Sequence, residues 1–328
     1  MEKKIFLRFL LIYIFSSISG LSAQQKDFPE LTGPYLGQKP PGIQPEIFAP
    51  GIISTGMSES AIAVAPDGKE IFYTIHAGNS ETIVTTRLVN GYWTAPEVAP
   101  FSGKYLDGFP AMHPDGSKLY FHSYRPFDND SLIADVVNIW FVEKKKDGWS
   151  EPKPIGPPIN GDGFVCCPSV TRSGTLYYSK KTKDGGEKIY RSRFVNGKYM
   201  EPEELPQQVN REKEQFHAVI SPDEGYLILP RENYLVSFRN EYDQWSDLID
   251  IGDVVNSMGS GWCPSISSDG KYFFYAAYPQ VKWNKYFDEP HNFKDLQEIT
   301  LQNPAPERTD IFWVDAKIIE DLKPEKLK

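Results

Sequence analysis

The amino-acid sequence predicts an all-β protein, a five-bladed β-propeller closed by an N-terminal outer strand that pairs with the C-terminal blade. Three observations support this fold. The composition, with 14% aromatic residues, 25 Gly and 27 Pro among 328 residues, favours strands and turns over helices. A hairpin pattern recurs five times along the chain. A third apolar strand follows each hairpin, at a spacing typical of propeller blades.

Each recurring hairpin has a short apolar strand, a tight turn and a second strand rich in aromatic residues. Asp bonds to its own backbone in such a turn, and glycine supplies the positive φ. The turn glycines are Gly68, Gly116, Gly174, Gly225 and Gly270. The copies are SAIAVAPDGKEIFYTIH from Ser60, FPAMHPDGSKLYFHS from Phe109, CPSVTRSGTLYYSKK from Cys167, HAVISPDEGYLILPRE from His217 and CPSISSDGKYFFYAAY from Cys263.

A short outer strand is predicted after the third strand of the first four copies. These segments are APEVAPFSG, EPKPIGPPING, EPEELPQQVN and SDLIDIGDVVN. Proline suits an outer edge, where no ladder hydrogen bond is needed. The fifth copy, ending in TDIFWVDAKII, has no such segment. PEIFAPGIIS, residues 45–54, supplies it from the other end of the chain and closes the ring, so we predict a propeller over residues 44–319.

Residues 1–23 are predicted to be a signal peptide. Lys3, Lys4 and Arg8 precede the apolar run FLLIYIFSSIS, and Ala23 is a small residue at the cleavage site. The apolar run is short for a membrane span, so we expect a soluble, monomeric, periplasmic or secreted protein without one. Residues 24–43 form a Pro/Gly-rich lead-in, and residues 320–328 form a charged tail that contains at most one helical turn.

The charge of the chain argues against nucleic acid as a partner. The formal net charge is −9, and removal of a leader with three basic residues and one acid leaves about −11. The three cysteines, Cys166, Cys167 and Cys263, cannot all pair within one chain. A disulfide bond from Cys263 to either Cys166 or Cys167 is possible, and the sequence does not decide between them. The sequence contains no CxxC metal pair.

The Pro-Asp-Gly hairpins resemble the WD40-like repeats of the PD40, or TolB-like, propeller family. PYLGQKPPG, PEIFAPGIIS and DIFWVDAKIIEDLKP resemble segments of exported members from Bacteroidetes-type bacteria. The resemblance covers nearly the whole mature chain and implies a propeller fold. It does not imply one function, because propellers serve as binding modules, scaffolds and enzymes. TolB itself has more blades and an additional N-terminal domain, so its role is not transferred.

Candidate functional residues are expected at the face where inner strands start and where second strands lead into third strands, because loops converge there around the channel. His113 lies at the opposite end and is expected to be structural. The acids at the starts of inner strands are Glu59, Asp107 and Glu214. The candidates for ligand binding are His122, Arg125, Lys180, His217, Arg231, Trp262 and Trp283.

Residues 278–308 form a very long connection in the fifth blade. A connection of this length is usually functional or disordered, and aromatic residues such as Trp283 argue against disorder. We expect either a lid over the channel mouth or an insertion packed on the outer rim.

Three functional hypotheses follow. The first, which we prefer, is a non-catalytic propeller that binds a glycan, a peptide or an envelope protein, because no catalytic motif is present. It needs no cofactor. The second is a glycoside hydrolase whose acids are drawn from the three rim carboxylates. The third is a metal-assisted polysaccharide lyase, in which a divalent metal and basic side chains would act on a uronate. Its weak candidate ligands are His76, His122 and His217, and its basic residues are Arg125, Lys180 and Arg231.

Overall fold

The computed structural model describes residues 28–78, 80–127, 136–161, 163–212, 217–257, 262–278 and 308–327. Five antiparallel sheets of four or five strands form a five-bladed β-propeller, which confirms the predicted fold. In blades 1 to 4 the chain runs from the inner strand at the central channel to a short outer strand. The signal-peptide prediction and most of the long connection, residues 279–307, lie outside the described residues.

The strands are numbered in chain order, and the first of them, β1 (Glu46–Ile47), belongs to the last blade. Blade 1 contains β2 (Ser58–Val64), β3 (Glu70–Ala77), β4 (Ser80–Val89), β5 (Tyr92–Trp93) and β6 (Glu97–Val98). Blade 2 contains β7 (Asp107–Met112), β8 (Lys118–Ser123), β9 (Asn138–Lys145), β10 (Gly148–Trp149) and β11 (Lys153–Pro154).

The remaining blades repeat this order. Blade 3 contains β12 (Val165–Val170), β13 (Leu176–Lys181), β14 (Glu187–Ser192) and β17 (Glu203–Glu204), with the small hairpin β15 (Phe194–Val195) and β16 (Lys198–Tyr199) beside it. Blade 4 contains β18 (Val219–Ile220), β19 (Tyr226–Pro230), β20 (Tyr234–Phe238) and β21 (Ile249–Asp250), followed by helix α1 (Asp253–Asn256). Blade 5 contains β22 (Trp262–Ile266), β23 (Tyr272–Ala277) and β24 (Asp310–Asp315).

The ring is closed by β1, which is the outer strand of blade 5. It pairs antiparallel with β24, with Glu46 opposite Trp313 and Ile47 opposite Phe312. The next residue, Phe48, is fully buried, and its ring centroid lies 4.9 Å from that of Trp313. The first and last parts of the propeller therefore share one sheet and one apolar cluster, as the missing fifth outer strand predicted.

A polar side chain after each outer strand bonds to the third strand of the same blade. Asn160 and Asn210 each accept from the backbone N–H and donate to the carbonyl of one third-strand residue, Ile139 and Ile189 respectively. Such bonds satisfy backbone groups that are buried between blades. The corresponding pairs in blades 1, 4 and 5 are Ser102 with Ile83, Asn256 with Tyr234, and Ser54 with Ile311.

The inner segment of every blade contains one non-glycine residue with positive φ. In four blades the pairing register with the second strand shifts at this position, as expected for a β-bulge. A bulge changes the side to which the following side chains point. The five residues and their φ angles are Ala61 (43°), Phe109 (55°), Cys167 (53°), His217 (58°) and Cys263 (55°).

Both ends of the described chain pack on the propeller. The lead-in passes through a short 3₁₀ helix, Tyr35–Gly37, and the Tyr35 backbone N–H donates to the Gly68 carbonyl of the first turn. At the other end, helix α2 (Lys317–Glu320) buries Ile319, and a final 3₁₀ turn covers Glu325–Leu327.

His113 bonds to Asp115 within its turn. None of the described helices is long and apolar enough to cross a membrane.

Candidate ligand site at the channel mouth

A cavity of about 490 Å³ lies at the mouth of the central channel, and we call it the funnel. All five blades contribute to it, through Ser60, Phe109, Cys167, His217 and Cys263. The last four of these also line the narrower channel beneath, which has a volume of about 60 Å³. Four of the five residues with positive φ therefore form the floor of the funnel together with Ser60, and the ends of the second strands form its walls.

Two histidines and a glutamate lie close together on the wall of blades 1 and 2. His122 Nε2 lies 2.7 Å from Glu81 Oε2, and His76 Nδ1 lies 3.7 Å from Glu81 Oε1. The other nitrogen of His76 lies 2.6 Å from Ser60 Oγ. Gly108 makes room for this group, since a Cβ atom there would lie 2.7 Å from Glu81 Oε2.

The charges of this group follow from its burial and its contacts. Burial by itself lowers the pKa of His122, but hydrogen bonds with Cys166 and Glu81 outweigh burial and raise it to about 9. Burial raises the pKa of Glu81, but the hydrogen bond from His122 and the nearby charges of the histidines together outweigh burial, so this pKa lies below its usual value. Burial leaves the pKa of His76 below its usual value. At neutral pH an imidazolium and a carboxylate therefore face each other.

Two adjacent cysteines lie on the other side of His122. All three cysteines of the chain are free and buried. The Sγ atoms of Cys166 and Cys167 are 3.1 Å apart, and Cys166 Sγ lies 3.7 Å from Glu187 Oε1. Burial raises the pKa of both thiols, but hydrogen bonds with Cys167 and His122 leave that of Cys166 below its usual value, while that of Cys167 stays well above it.

Aromatic rings and a neutral histidine form the rest of the funnel. The Phe109 ring lies between two imidazoles, 4.6 Å from that of His122 and 4.5 Å from that of His217. Burial and the nearby charge of His122 lower the pKa of His217 to about 3, so His217 is neutral at physiological pH. Trp262 lies at the rim, 6.0 Å from the His217 ring, and its side chain is 45% exposed.

The structure brings four of the predicted residues, His76, His122, His217 and Trp262, into the funnel. It places Glu59 and Asp107 in the wall between blades. Both are fully buried, Glu59 accepts from the Thr55 hydroxyl, and Asp107 accepts from the Ser123 hydroxyl at 2.6 Å. Neither carboxylate lines the funnel.

The basic residues predicted for ligand binding also lie outside the funnel lining. Arg125 is packed between blades 1 and 2, where it donates to the Phe101 carbonyl at 2.8 Å and covers the Trp140 ring at 5.3 Å. Lys180 lies over the Tyr190 ring, and Arg231 lies 3.3 Å from Glu212. Glu214 and Trp283 lie outside the described residues.

Sequence reasoning missed Glu81, Glu187, Phe109 and the two adjacent cysteines as funnel residues. Glu81 and Glu187 lie near the starts of third strands, which sequence reasoning did not search for acids. Phe109 and Cys167 align with Ala61 of blade 1, each at the same distance before the turn glycine, and this alignment was a signal that could have identified them.

The fold and the site define the class of the molecule as a five-bladed β-propeller with a polar and aromatic cavity at one channel mouth. No protein-family model and no curated protein sequence matches the chain. Solved structures similar to it include TolB from Acinetobacter baumannii, with 19% identity, TM-score 0.44, and 68% of this chain and 50% of that chain covered. The chain thus spans half the length of that protein.

Two further solved structures are similar to the chain. A putative TolB from Agrobacterium tumefaciens is 17% identical, with TM-score 0.44 and 71% of this chain and 73% of that chain covered. An alpha-L-arabinofuranosidase from Lactobacillus brevis is 16% identical, with TM-score 0.44, and the match covers 80% of this chain and 91% of that chain. At such identities no residue role is transferred from these proteins.

Proposed function

We propose that the protein is an exported, monomeric, non-catalytic β-propeller that binds a glycan in the funnel, with a sugar ring stacked on Trp262. The exposure of this side chain carries the proposal. Trp262 is 45% exposed at the rim, whereas its counterparts in blades 1 to 3, Ser60, Gly108 and Cys166, are buried. Large aromatic side chains at the mouth of a polar cavity are typical of ligand sites. Export rests on the signal peptide predicted for residues 1–23.

The polar groups of the funnel favour a neutral saccharide over an acidic one. Glu81 and Glu187 line the cavity and can accept hydrogen bonds from sugar hydroxyls. The basic residues that would neutralise uronate carboxylates, Arg125, Lys180 and Arg231, do not line it. Among the described lining residues, an acidic sugar would meet no guanidinium or ammonium group, and the His122 imidazolium is already paired with Glu81.

The positions of Glu59 and Asp107 support a binding role over hydrolysis. A glycoside hydrolase needs two carboxyl groups that face one cavity at a separation of roughly 5 to 9.5 Å. Both acids instead lie in the wall and bond to hydroxyls of their own blades. Two other acids, Glu81 and Glu187, do face the funnel. Glu81 contacts two histidines, and Glu187 Oε1 lies 3.7 Å from Cys166 Sγ.

The proposal is tested by thermal unfolding of the mature protein with neutral and acidic oligosaccharides. A ligand at one hundred times its dissociation constant stabilises the native state by about 2.7 kcal/mol. We expect a shift with a neutral sugar, loss of that shift in Trp262→Ala, and an unchanged shift in Tyr242→Ala, a control side chain that is 76% exposed and lies outside the funnel lining. A shift that survives in Trp262→Ala would contradict the proposal, and no shift with any sugar would favour a peptide or protein partner.

One observation favours the lyase as a second candidate. His76, His122 and His217, from three different blades, line one cavity. The same oligosaccharide panel separates the two candidates, because a lyase converts an acidic glycan to an unsaturated product that absorbs in the ultraviolet. Appearance of that product, and its loss after treatment with a chelator, would replace the binding proposal with the enzyme.

A further inference from the structure

Three buried side chains on neighbouring blades place metal-ligating atoms close together. One imidazole nitrogen of His122 and the Sγ atoms of Cys166 and Cys167 all lie within 4.8 Å of one another. All three residues are buried, yet they line the funnel. The group therefore combines shielding from bulk water with access from the cavity.

The bulge in β12 is what turns both thiols to the same side. Successive side chains of a regular strand point to opposite faces of the sheet, so adjacent cysteines in such a strand cannot chelate one ion. Cys167 has φ of 53°, and the pairing register shifts between Cys166 and Ser169. The two Sγ atoms consequently lie 3.1 Å apart without a disulfide bond.

His122 is oriented as a metal ligand usually is. Its Nε2 atom lies 2.7 Å from a carboxylate oxygen of Glu81, so its contact with Cys166 is made through the buried Nδ1 atom. Ligating histidines commonly donate their second N–H to a carboxylate, which holds the ring in place. A metal ion bound here would displace the Nδ1 proton of the imidazolium and the protons of the two thiols, because ligating nitrogen and sulfur atoms must be deprotonated.

We propose that His122, Cys166 and Cys167 bind one thiophilic transition-metal ion of the Zn²⁺ type. Tetrahedral zinc with bonds of about 2.3 Å to sulfur and about 2.0 Å to nitrogen separates its sulfur ligands by roughly 3.8 Å, so small side-chain movements form the site. Thiolate and imidazole are the ligands that such ions prefer. The fourth position faces the funnel, where Glu187 Oε1 lies 3.7 Å from Cys166 Sγ.

This site goes beyond the glycan-binding proposal and does not depend on it. Trp262 belongs to blade 5 and is not one of the three ligands. A Trp262→Ala variant should therefore bind the metal normally while it loses the sugar-dependent shift. Failure of either proposal would leave the other standing.

The test is a titration of the full mature protein, reduced and freed of metal by a chelator, with Zn²⁺ in competition with a chromogenic chelator. We expect one equivalent to bind, with a dissociation constant below 1 μM, on the order expected for a three-ligand site with two thiolates. Co²⁺ at the same site should give the visible bands of a tetrahedral ion and a near-ultraviolet thiolate band. Zinc should also slow alkylation of two of the three cysteines, as counted by mass spectrometry.

Substitutions assign the ligands. Cys166→Ser, Cys167→Ser and His122→Gln should each weaken Zn²⁺ binding at least 100-fold. Cys263→Ser is the matched control, since Cys263 is also buried and lies on the funnel floor but outside the three-residue group, and it should bind like the wild type. Circular dichroism shows which variants are folded, and the wild-type titration and Co²⁺ spectrum stand even where a variant unfolds.

Two results would overturn the site. One is the absence of stoichiometric zinc binding by the reduced wild-type protein. The other is a Zn²⁺ affinity equal to that of the wild type in folded Cys166→Ser and Cys167→Ser, or a loss of Zn²⁺ binding in Cys263→Ser.

Discussion

At the scale of single residues, Glu59 shows how a carboxylate at the start of an inner strand serves the wall of the propeller. The side chain is fully buried, and Oε1 accepts from the Thr55 hydroxyl. Oε2 has no hydrogen-bond partner among the described residues. Burial raises the pKa of Glu59 to about 7, against the lowering effects of Thr55 and Arg308.

We predict that Glu59→Gln removes a pH-dependent loss of stability. A folded-state pKa above the unfolded value of about 4.3 means that the native state holds the proton more tightly, so stability falls as pH rises between these two values. The free energy of unfolding of the wild type, relative to the variant, should fall by about 3 kcal/mol from pH 4 to pH 8. Urea unfolding across this range measures the difference.

The control for this prediction is Glu241→Gln, which alters an exposed carboxylate and should leave the pH dependence of the wild type unchanged. A constant difference between wild type and Glu59→Gln at all pH values would show that Glu59 has an ordinary pKa in the folded protein.

At the scale of elements, each blade is held together by more than its strand ladder. The outer strands are only two residues long in all five blades, too short to secure the third strands alone. The Asn or Ser that follows each outer strand makes up for this by bonding to the third-strand backbone. The segments predicted as outer strands thus hold the third strand of each blade through the hydrogen bonds of one side chain as well as through strand pairing.

Asn210→Ala should destabilise the protein by roughly 2 to 3 kcal/mol, because it removes the partners of several buried backbone groups. Asn210 accepts from the Ile189 N–H at 2.8 Å and donates to the Ile189 and Leu205 carbonyls at 2.9 Å each. Urea unfolding of Asn210→Ala against the exposed neighbour Gln208→Ala measures the loss. Equal stabilities of the two variants would show that water replaces these bonds.

At the scale of the whole molecule, ring closure joins segments from the two ends of the described chain. Strand β1 and Phe48 lie against β24, whose residues are more than 250 positions later in the sequence. Ser54 adds hydrogen bonds to both backbone groups of Ile311. These contacts form only when the blades have assembled in the correct order.

Phe48→Ala should cost about 3 to 5 kcal/mol, the usual loss for a fully buried phenylalanine, because it leaves a cavity between Phe274 and Trp313. Hydrogen exchange should speed up first in β24, the strand that β1 covers. Ile43→Ala, at a side chain that is 56% exposed, is the control and should change the stability little. If hydrogen exchange in β24 were as slow in Phe48→Ala as in the wild type, closure of the ring would not depend on this contact.

The number of blades, their order and the closing strand could all be predicted from the sequence. Asp-Gly turns, alternating aromatic residues and proline-bearing edges are local features, and each constrains the backbone where it occurs. A count of outer segments was enough to assign residues 45–54 to blade 5. The sequence also placed His76, His122, His217 and Trp262 at one mouth of the channel, where the structure has them. This was possible because the direction of a strand determines at which end of the propeller its first and last residues lie.

The make-up of the funnel was decided by the tertiary structure. Side chains of a regular strand alternate between its two faces, and the one residue with positive φ in each inner segment interrupts this alternation. The sequence therefore could not show that the side chains of Cys166 and Cys167 point the same way. For the same reason it could not show that Glu59 points into the wall. Packing of blades 1, 2 and 3 then brought Glu81, His122 and the two thiols together. Local chemistry determined the blades, whereas the distances between side chains of different blades depend on how the ring closes.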